Sequence, residues 1–142
     1  MPMTDEQKVA LLRGVELLAG VSEHSMAAIA QRTGELTFAP GQRIVSQGQL
    51  GNGLYLIASG AARVQRGDEV LARLGPGEVF GELAVIDQMP RSASVVAEEP
   101  TTCLALASWD FLELVESDPK LALGVLRVLA SRLRAAGERH HH

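Results

Sequence analysis

A chain of 142 residues, 46% of them hydrophobic, is long enough to bury one sizeable core. Its net charge of -4 excludes the basic face of a general nucleic-acid or membrane-surface binder. No apolar run reaches the eighteen or so residues that a membrane span needs.

The opening MPMTDEQ is acidic and lacks the basic and apolar regions of a signal peptide, so a soluble, cytoplasmic protein is expected. Thr4-Asp-Glu-Gln7 has the form of a capping box, and VALLRGVELLAGV behind it carries apolar residues at helical spacing. Ser22 is placed to cap a second amphipathic helix, carrying Met26, Ile29 and Ala30 and ending near Gly34. From residue 35 to about 107 the texture changes to short runs such as RIVSQG, LYLIASG and EVLARL. Pro40-Gly41, Asn52-Gly53, Gly67-Asp68 and Gly75-Pro76-Gly77 separate them. Turn signals about every eight to twelve residues predict many short antiparallel strands closing into a barrel or roll. Only Gly81 to Ile86 breaks the pattern, with the apolar spacing of a one-turn helix. Ser108 then reads as the N-cap of WDFLELVES, and Asp118-Pro119 punctuates the passage to a long final helix.

The expected architecture is thus mainly β with flanking helices. An antiparallel β-roll of the jelly-roll or double-stranded β-helix type spans 35–107, two N-terminal helices span 4–34, a short helix interrupts the roll, and a helix pair spans 108–138. One domain, 1–139, accounts for the chain, and His140 to His142 read as a tag remnant.

The chemistry concentrates in FGELAVIDQMPRSASVVA, where Glu82 and Arg91 sit among small and apolar residues. Buried charges need partners, and a charged, polar ligand is one way to supply them. A helix starting at Gly81 leaves its first N–H groups free, Gly81 permits close approach, and Arg91 beyond Met89-Pro90 offers a planar fork to phosphate oxygens. Ser92 adds a hydroxyl. Glu82 would repel a phosphate, but a carboxylate accepts well from a sugar hydroxyl, and a phosphate tied closely to a ribose hydroxyl describes a nucleotide. The competing reading is a closed Glu82–Arg91 ion pair with no ligand.

This segment resembles the phosphate-binding cassette of the cyclic nucleotide-binding domain family, which includes the catabolite activator protein and the regulatory subunits of protein kinase A. The similarity extends through PGQRIVSQGQLGNGLYLIASGAARV and DFLELVESDPKLALGVLRVLASRLR. The resemblance implies that Glu82 receives the ribose 2′-hydroxyl and Arg91 holds the exocyclic phosphate. Gly81 and the N–H groups of Leu83 and Ala84 would complete the cradle, with Ser92 and Ala93 at its border. Serine after the arginine leans toward cAMP, and cGMP stays open. The final helix would form a lid over the base, with Arg127 and Ser131 as its polar part, or pair across a homodimer.

No cofactor, metal or enzymatic activity is expected. Cys103, the single cysteine, excludes an intrachain disulfide and cysteine-based metal sites, and TTCLAL around it reads as a buried structural strand. His24 is expected to be solvated. Trp109 is expected to pack between its helix and the roll. Arg127, Arg132, Arg134 and Arg139 read as a solvated face with no role in DNA contact. Ala122, Val125, Leu126, Leu129 and Leu133 form an apolar stripe that either packs on the roll or meets a partner helix. The function expected is a cyclic nucleotide sensor. Its alternatives are the ligand-binding part of a Crp/Fnr-type transcription regulator and an interaction module that has lost the ligand.

Overall fold

The computed structural model describes residues 2–140, apart from the side chains of Leu83, Glu138, Arg139 and His140. His141 and His142 lie outside the described residues.

Among the described residues, eight strands make two four-stranded antiparallel sheets. They are β1 (Gly34–Phe38), β2 (Arg43–Val45), β3 (Gly53–Ser59), β4 (Ala62–Arg66), β5 (Glu69–Leu74), β6 (Val79–Phe80), β7 (Ser94–Ala97) and β8 (Thr101–Ala107). The order is β1-β8-β3-β6 in one sheet and β2-β7-β4-β5 in the other. Alternation along β3 and β8 explains why both faces of the first sheet are apolar. Leu56, Leu104 and Leu106 point to a core shared with the helices, whereas Ile57 and Cys103 point to a second core between the sheets. Burial pushes the Cys103 thiol up to about 11, in keeping with an inert structural residue.

The helices are α1 (Asp5–Arg13), α2 (Glu23–Arg32), α3 (Glu82–Asp87), α4 (Ser108–Ser117) and α5 (Pro119–His140). Thr4 and Gln7 make both halves of the capping box, and Ser22 caps α2 through the Ser25 N–H. The first apolar run is not one helix. It stops at Gly14 and resumes as a 3-10 turn, Glu16–Leu18, whose Leu17 and Leu18 enter the helical core. At Gly124 of α5 an added Cβ would lie 3.1 Å from the Leu17 carbonyl oxygen, so the glycine lets the last helix press onto that turn.

Three local expectations need correction. Ser108 is the first residue of α4 rather than its cap; Ala107 occupies the N-cap position without a side-chain hydrogen bond. Trp109 does not pack on the roll but is 69% exposed, and Phe111 fills the interface instead. The apolar residues of α5 divide between two faces. Leu121, Val125 and Val128 are buried in the helical core, while Leu126 and Leu133 are exposed.

Candidate functional site

Between β6 and β7 the chain reverses through α3, and both charged cassette residues come from this reversal. Gly81 is the N-cap of α3 at φ 92°, in the left-handed region that other residues avoid. An added Cβ there would lie 2.8 Å from Nη1 of Arg91 and 3.0 Å from the Gly53 carbonyl oxygen. The position therefore requires glycine on two counts. Glu82, the first residue of α3, is 5% exposed, and Arg91 is 7% exposed.

Arg91 is held by its main chain as well as its side chain. Its N–H donates to the Gln49 carbonyl at 2.8 Å, and its carbonyl accepts from the Gly48 N–H at 2.8 Å. The guanidinium donates through Nη2 to the Gly53 carbonyl at 2.9 Å and through Nη1 to the Gly81 carbonyl at a long 3.5 Å. It lies 6.0 Å from the centre of the Tyr55 ring, which stacks on Phe80. Burial pushes the guanidinium below its ordinary range, with Tyr55 and Glu82 acting in the opposite direction. An arginine still carries its proton at neutral pH under such conditions. Among the described residues no carboxylate forms an ion pair with it, so the closed Glu82–Arg91 pair does not form.

Glu82 bonds elsewhere. Its Oε1 accepts from Nη1 of Arg132 at 2.5 Å. The arginine comes from the far part of α5, on the face that carries Leu121, Val125 and Val128 into the core. Arg132, half-exposed, thus closes over a buried carboxylate while the opposite face of α5 stays in solvent.

These side chains border an open cleft of about 610 Å³ between α3 and the inner face of the β2-β7-β4-β5 sheet. Gly81, Glu82, Ala84, Arg91, Ser92 and Ala93 all line it. Ser92 is exposed, and its carbonyl is pinned by Nε of Arg66 at 3.2 Å. Arg127 and Ser131 are both exposed and neither lines the cleft; Arg132 is the α5 residue that does. Among the described residues no group of His, Cys, Asp and Glu side chains could hold a metal ion. A buried fixed cation beside a buried carboxylate, on the wall of an open cleft, suits a ligand with an anionic group and a neighbouring hydroxyl.

Residues 35–118, more than half of the chain, match the family model of the cyclic nucleotide-binding domain. The chain belongs to that family. As a cyclic nucleotide-binding domain it is 40% identical over 130 residues to a cyclic AMP receptor protein of Thermus thermophilus, with 88% of this chain and 60% of the relative covered. It is 36% identical over 138 residues to glutaminase 2 of Bradyrhizobium diazoefficiens, covering 94% of this chain but 22% of that protein. Among solved structures it superposes with a TM-score of 0.77 and 28% identity on the regulatory domain of Toxoplasma gondii protein kinase A, crystallised with cAMP. That match covers 90% of this chain and 50% of the other. The domain therefore spans three fifths or less of each of these relatives.

Two parts of the site carry little mark in the sequence. Gly53 was legible only as half of an Asn-Gly turn, yet its carbonyl receives Arg91. Arg132 looked like one more solvated cation. Stepping from Leu121 by four, three and four residues through Val125 and Val128 reaches Arg132, and that spacing was the available signal.

Proposed function

We propose that the cleft binds a 3′,5′-cyclic nucleotide, cAMP in the first place, and that the domain is a sensor which converts occupancy into movement of its C-terminal helices. The observation that carries this reading is the Arg91 guanidinium. It is buried, charged and bonded only to backbone carbonyls, one of them at 3.5 Å, so it can turn its donors to a phosphate at little cost. Glu82 then accepts the ribose 2′-hydroxyl on the oxygen that Arg132 leaves free, since a carboxylate offers about four lone-pair sites. The choice of cAMP is supported by Ser92 and by several relatives whose names carry that nucleotide, among them the cyclic AMP receptor protein and the protein kinase A regulatory domain described above.

Binding contributes no chemistry of its own in this reading. The domain is regulatory in this reading, with Arg91 and Glu82 placed to hold a ligand rather than to transform it. Ligand held by α3 and capped by Arg132 would favour one position of α5 over another, with the Gly124 contact on the 3-10 turn as the pivot.

A second reading concerns the whole molecule. The 60% coverage of the cyclic AMP receptor protein favours the ligand-binding part of a Crp-type transcription regulator, acting as a homodimer through α5. Leu123, Leu126, Ala130, Leu133 and Gly137 are all exposed and follow the alternating spacing of a coiled-coil seam.

Calorimetric titration with cAMP and 5′-AMP tests the site. The cradle is shaped for a singly charged phosphate closed onto its ribose, so cAMP is expected to bind and 5′-AMP to bind far more weakly. Comparable affinities would overturn the cyclic-phosphate reading.

A further inference from the structure

Two serines follow Arg91, and they are placed differently. Ser94 is buried, and its Oγ accepts from the Gln47 N–H at 2.8 Å. Ser92 is exposed and borders the cleft, and its hydroxyl has no hydrogen-bond partner among the described residues. It lies in the irregular segment that joins α3 to β7, after the exposed Gln88, Met89 and Pro90, so an enzyme that modifies hydroxyl groups can reach it from solvent. The backbone on either side of it is pinned: the Arg91 N–H donates to the Gln49 carbonyl at 2.8 Å, and the Ser92 carbonyl accepts from Nε of Arg66 at 3.2 Å. A group added to the Ser92 oxygen is therefore held beside the cleft.

Two cations flank that position. The Arg91 guanidinium borders the same cleft and is bonded only to backbone carbonyls. Arg66 spends its Nε on the Ser92 carbonyl, and its other two nitrogens make no hydrogen bond among the described residues. Neither arginine has an ion-pair partner there. The carboxylates that border the cleft have donors of their own: Glu82 is held by Arg132, Asp87 accepts from the Met89 N–H at 3.0 Å, and Glu78 accepts from the Gly75 N–H at 3.4 Å.

Resting on the nucleotide reading above, we infer that Ser92 is a phosphorylation site, and that a phosphoryl group on its Oγ acts as a tethered occupant of the anion site that keeps the nucleotide out. In the transfer, the Ser92 oxygen attacks the γ-phosphorus of a nucleoside triphosphate held by a protein serine kinase. The new P–O bond forms as the bond to the nucleoside diphosphate breaks, the diphosphate leaves, and the hydroxyl proton passes to the base of the kinase. Phosphoserine carries a charge of about -1.5 to -2 at neutral pH and offers strong acceptor oxygens, which suits a position between two guanidinium groups. Its tether is a single side chain, so its effective concentration at the site is on the order of millimolar or more, and a cyclic phosphate brought beside it meets like charge. One cleft then takes two inputs, a diffusing ligand and a covalent group that vetoes it.

The experiment compares the chain carrying phosphoserine at position 92, installed during its synthesis, with the unmodified chain. Calorimetry should show cAMP affinity reduced by at least about a hundredfold, and phosphatase treatment should restore it. Ser92→Ala, which removes only a neutral hydroxyl, should keep cAMP affinity within about tenfold of wild type. Without ligand, the phosphorylated chain should melt above the unmodified one, and that gain should vanish in Arg91→Ala, a dependence that a purely steric block does not produce. A loss of cAMP affinity smaller than about tenfold on phosphorylation overturns the inference. A loss of binding with no Arg91-dependent gain in melting temperature overturns it as well, because the phosphoryl group then blocks the cleft without occupying the anion site. Failure of the unmodified chain to bind cAMP overturns the nucleotide reading itself, and this inference with it.

Discussion

Arg132 of α5 and Glu82 of α3 meet at 2.5 Å across fifty positions of sequence, so the last helix is tied to the cleft beside α3 by one charge-assisted hydrogen bond. The two partners are unequal: the carboxylate is buried and the guanidinium is half-exposed. Losing Arg132 therefore strands a buried anion, whereas losing Glu82 leaves a cation that water can solvate. Arg132→Ala should weaken cAMP binding by about threefold to tenfold, the scale of a single partly screened contact. Unchanged affinity would show that the lid contact plays no part in holding the ligand.

Glu82→Ala should behave differently toward two ligands. If the carboxylate receives the ribose hydroxyl, cAMP loses a contact that 2′-deoxy-cAMP never made. Titration of the variant with both should show a large loss for cAMP and a small one for the deoxy ligand. Equal losses would assign Glu82 to the lid alone.

A separate tie anchors the other end of α5. Asp118 accepts from Ser25 Oγ at 2.6 Å and from the Lys120 and Leu121 N–H groups at 3.0 and 3.3 Å, joining α2 to the start of the final helix. The Ser25 bond is the chief reason the Asp118 carboxyl lies below its ordinary range; burial opposes it, and the Leu121 and Lys120 N–H groups and the Lys120 charge each add a smaller push downward. A carboxyl depressed in the folded state contributes stability above its unfolded value of about 3.9, and loses it as pH falls through the folded value. Ser25→Ala should cost about 1 kcal/mol or less at pH 7, and the difference from wild type should shrink below about pH 4. Urea denaturation at pH 7 and pH 3 measures it. A pH-independent difference would mean that the serine acts through packing.

How much of this was readable from the chain alone varies with the range of the contact. Thr4 and Gln7, Ser22, and the Gly81 helix start are local devices, and the structure carries each where the residues put it. The strand-rich middle was legible because its turn residues punctuate it. Trp109 was misplaced because helical spacing says which residues share a face, not which face meets the roll; Phe111 competed for the same interface and won it. Arg127 and Ser131 lie outside the cleft for the same reason. Which residue of α5 borders the cleft depends on how the helix is rotated, and that depends on Gly124 sitting against Leu17, more than a hundred residues away. Arg91's true neighbours were also beyond reach. Its acceptors are carbonyls, which every residue has, and no side-chain pattern marks Gly53 as one of them.

The strongest test rests on Arg91. Its guanidinium gives up water for two backbone carbonyls, one at 2.9 Å and one at 3.5 Å, and has no ion-pair partner among the described residues. Truncation to alanine removes a buried cation and leaves those carbonyls short of a donor, two effects of opposite sign. The ligand-free variant should therefore melt within about 4 °C of wild type. Binding should not survive as well. Charge-assisted hydrogen bonds contribute about 1.5 to 3 kcal/mol each, so loss of a bidentate pair to phosphate predicts a fall in cAMP affinity of at least about a hundredfold. The stabilisation that saturating cAMP gives wild type should largely disappear from the variant, because a ligand raises the melting point only through the state it binds. Melting curves of both proteins, with and without cAMP, contain the whole comparison. A drop of many degrees in the ligand-free variant would make Arg91 a structural strut between Gly53 and Gly81. Retention of the full cAMP shift in the variant would remove it from the phosphate site.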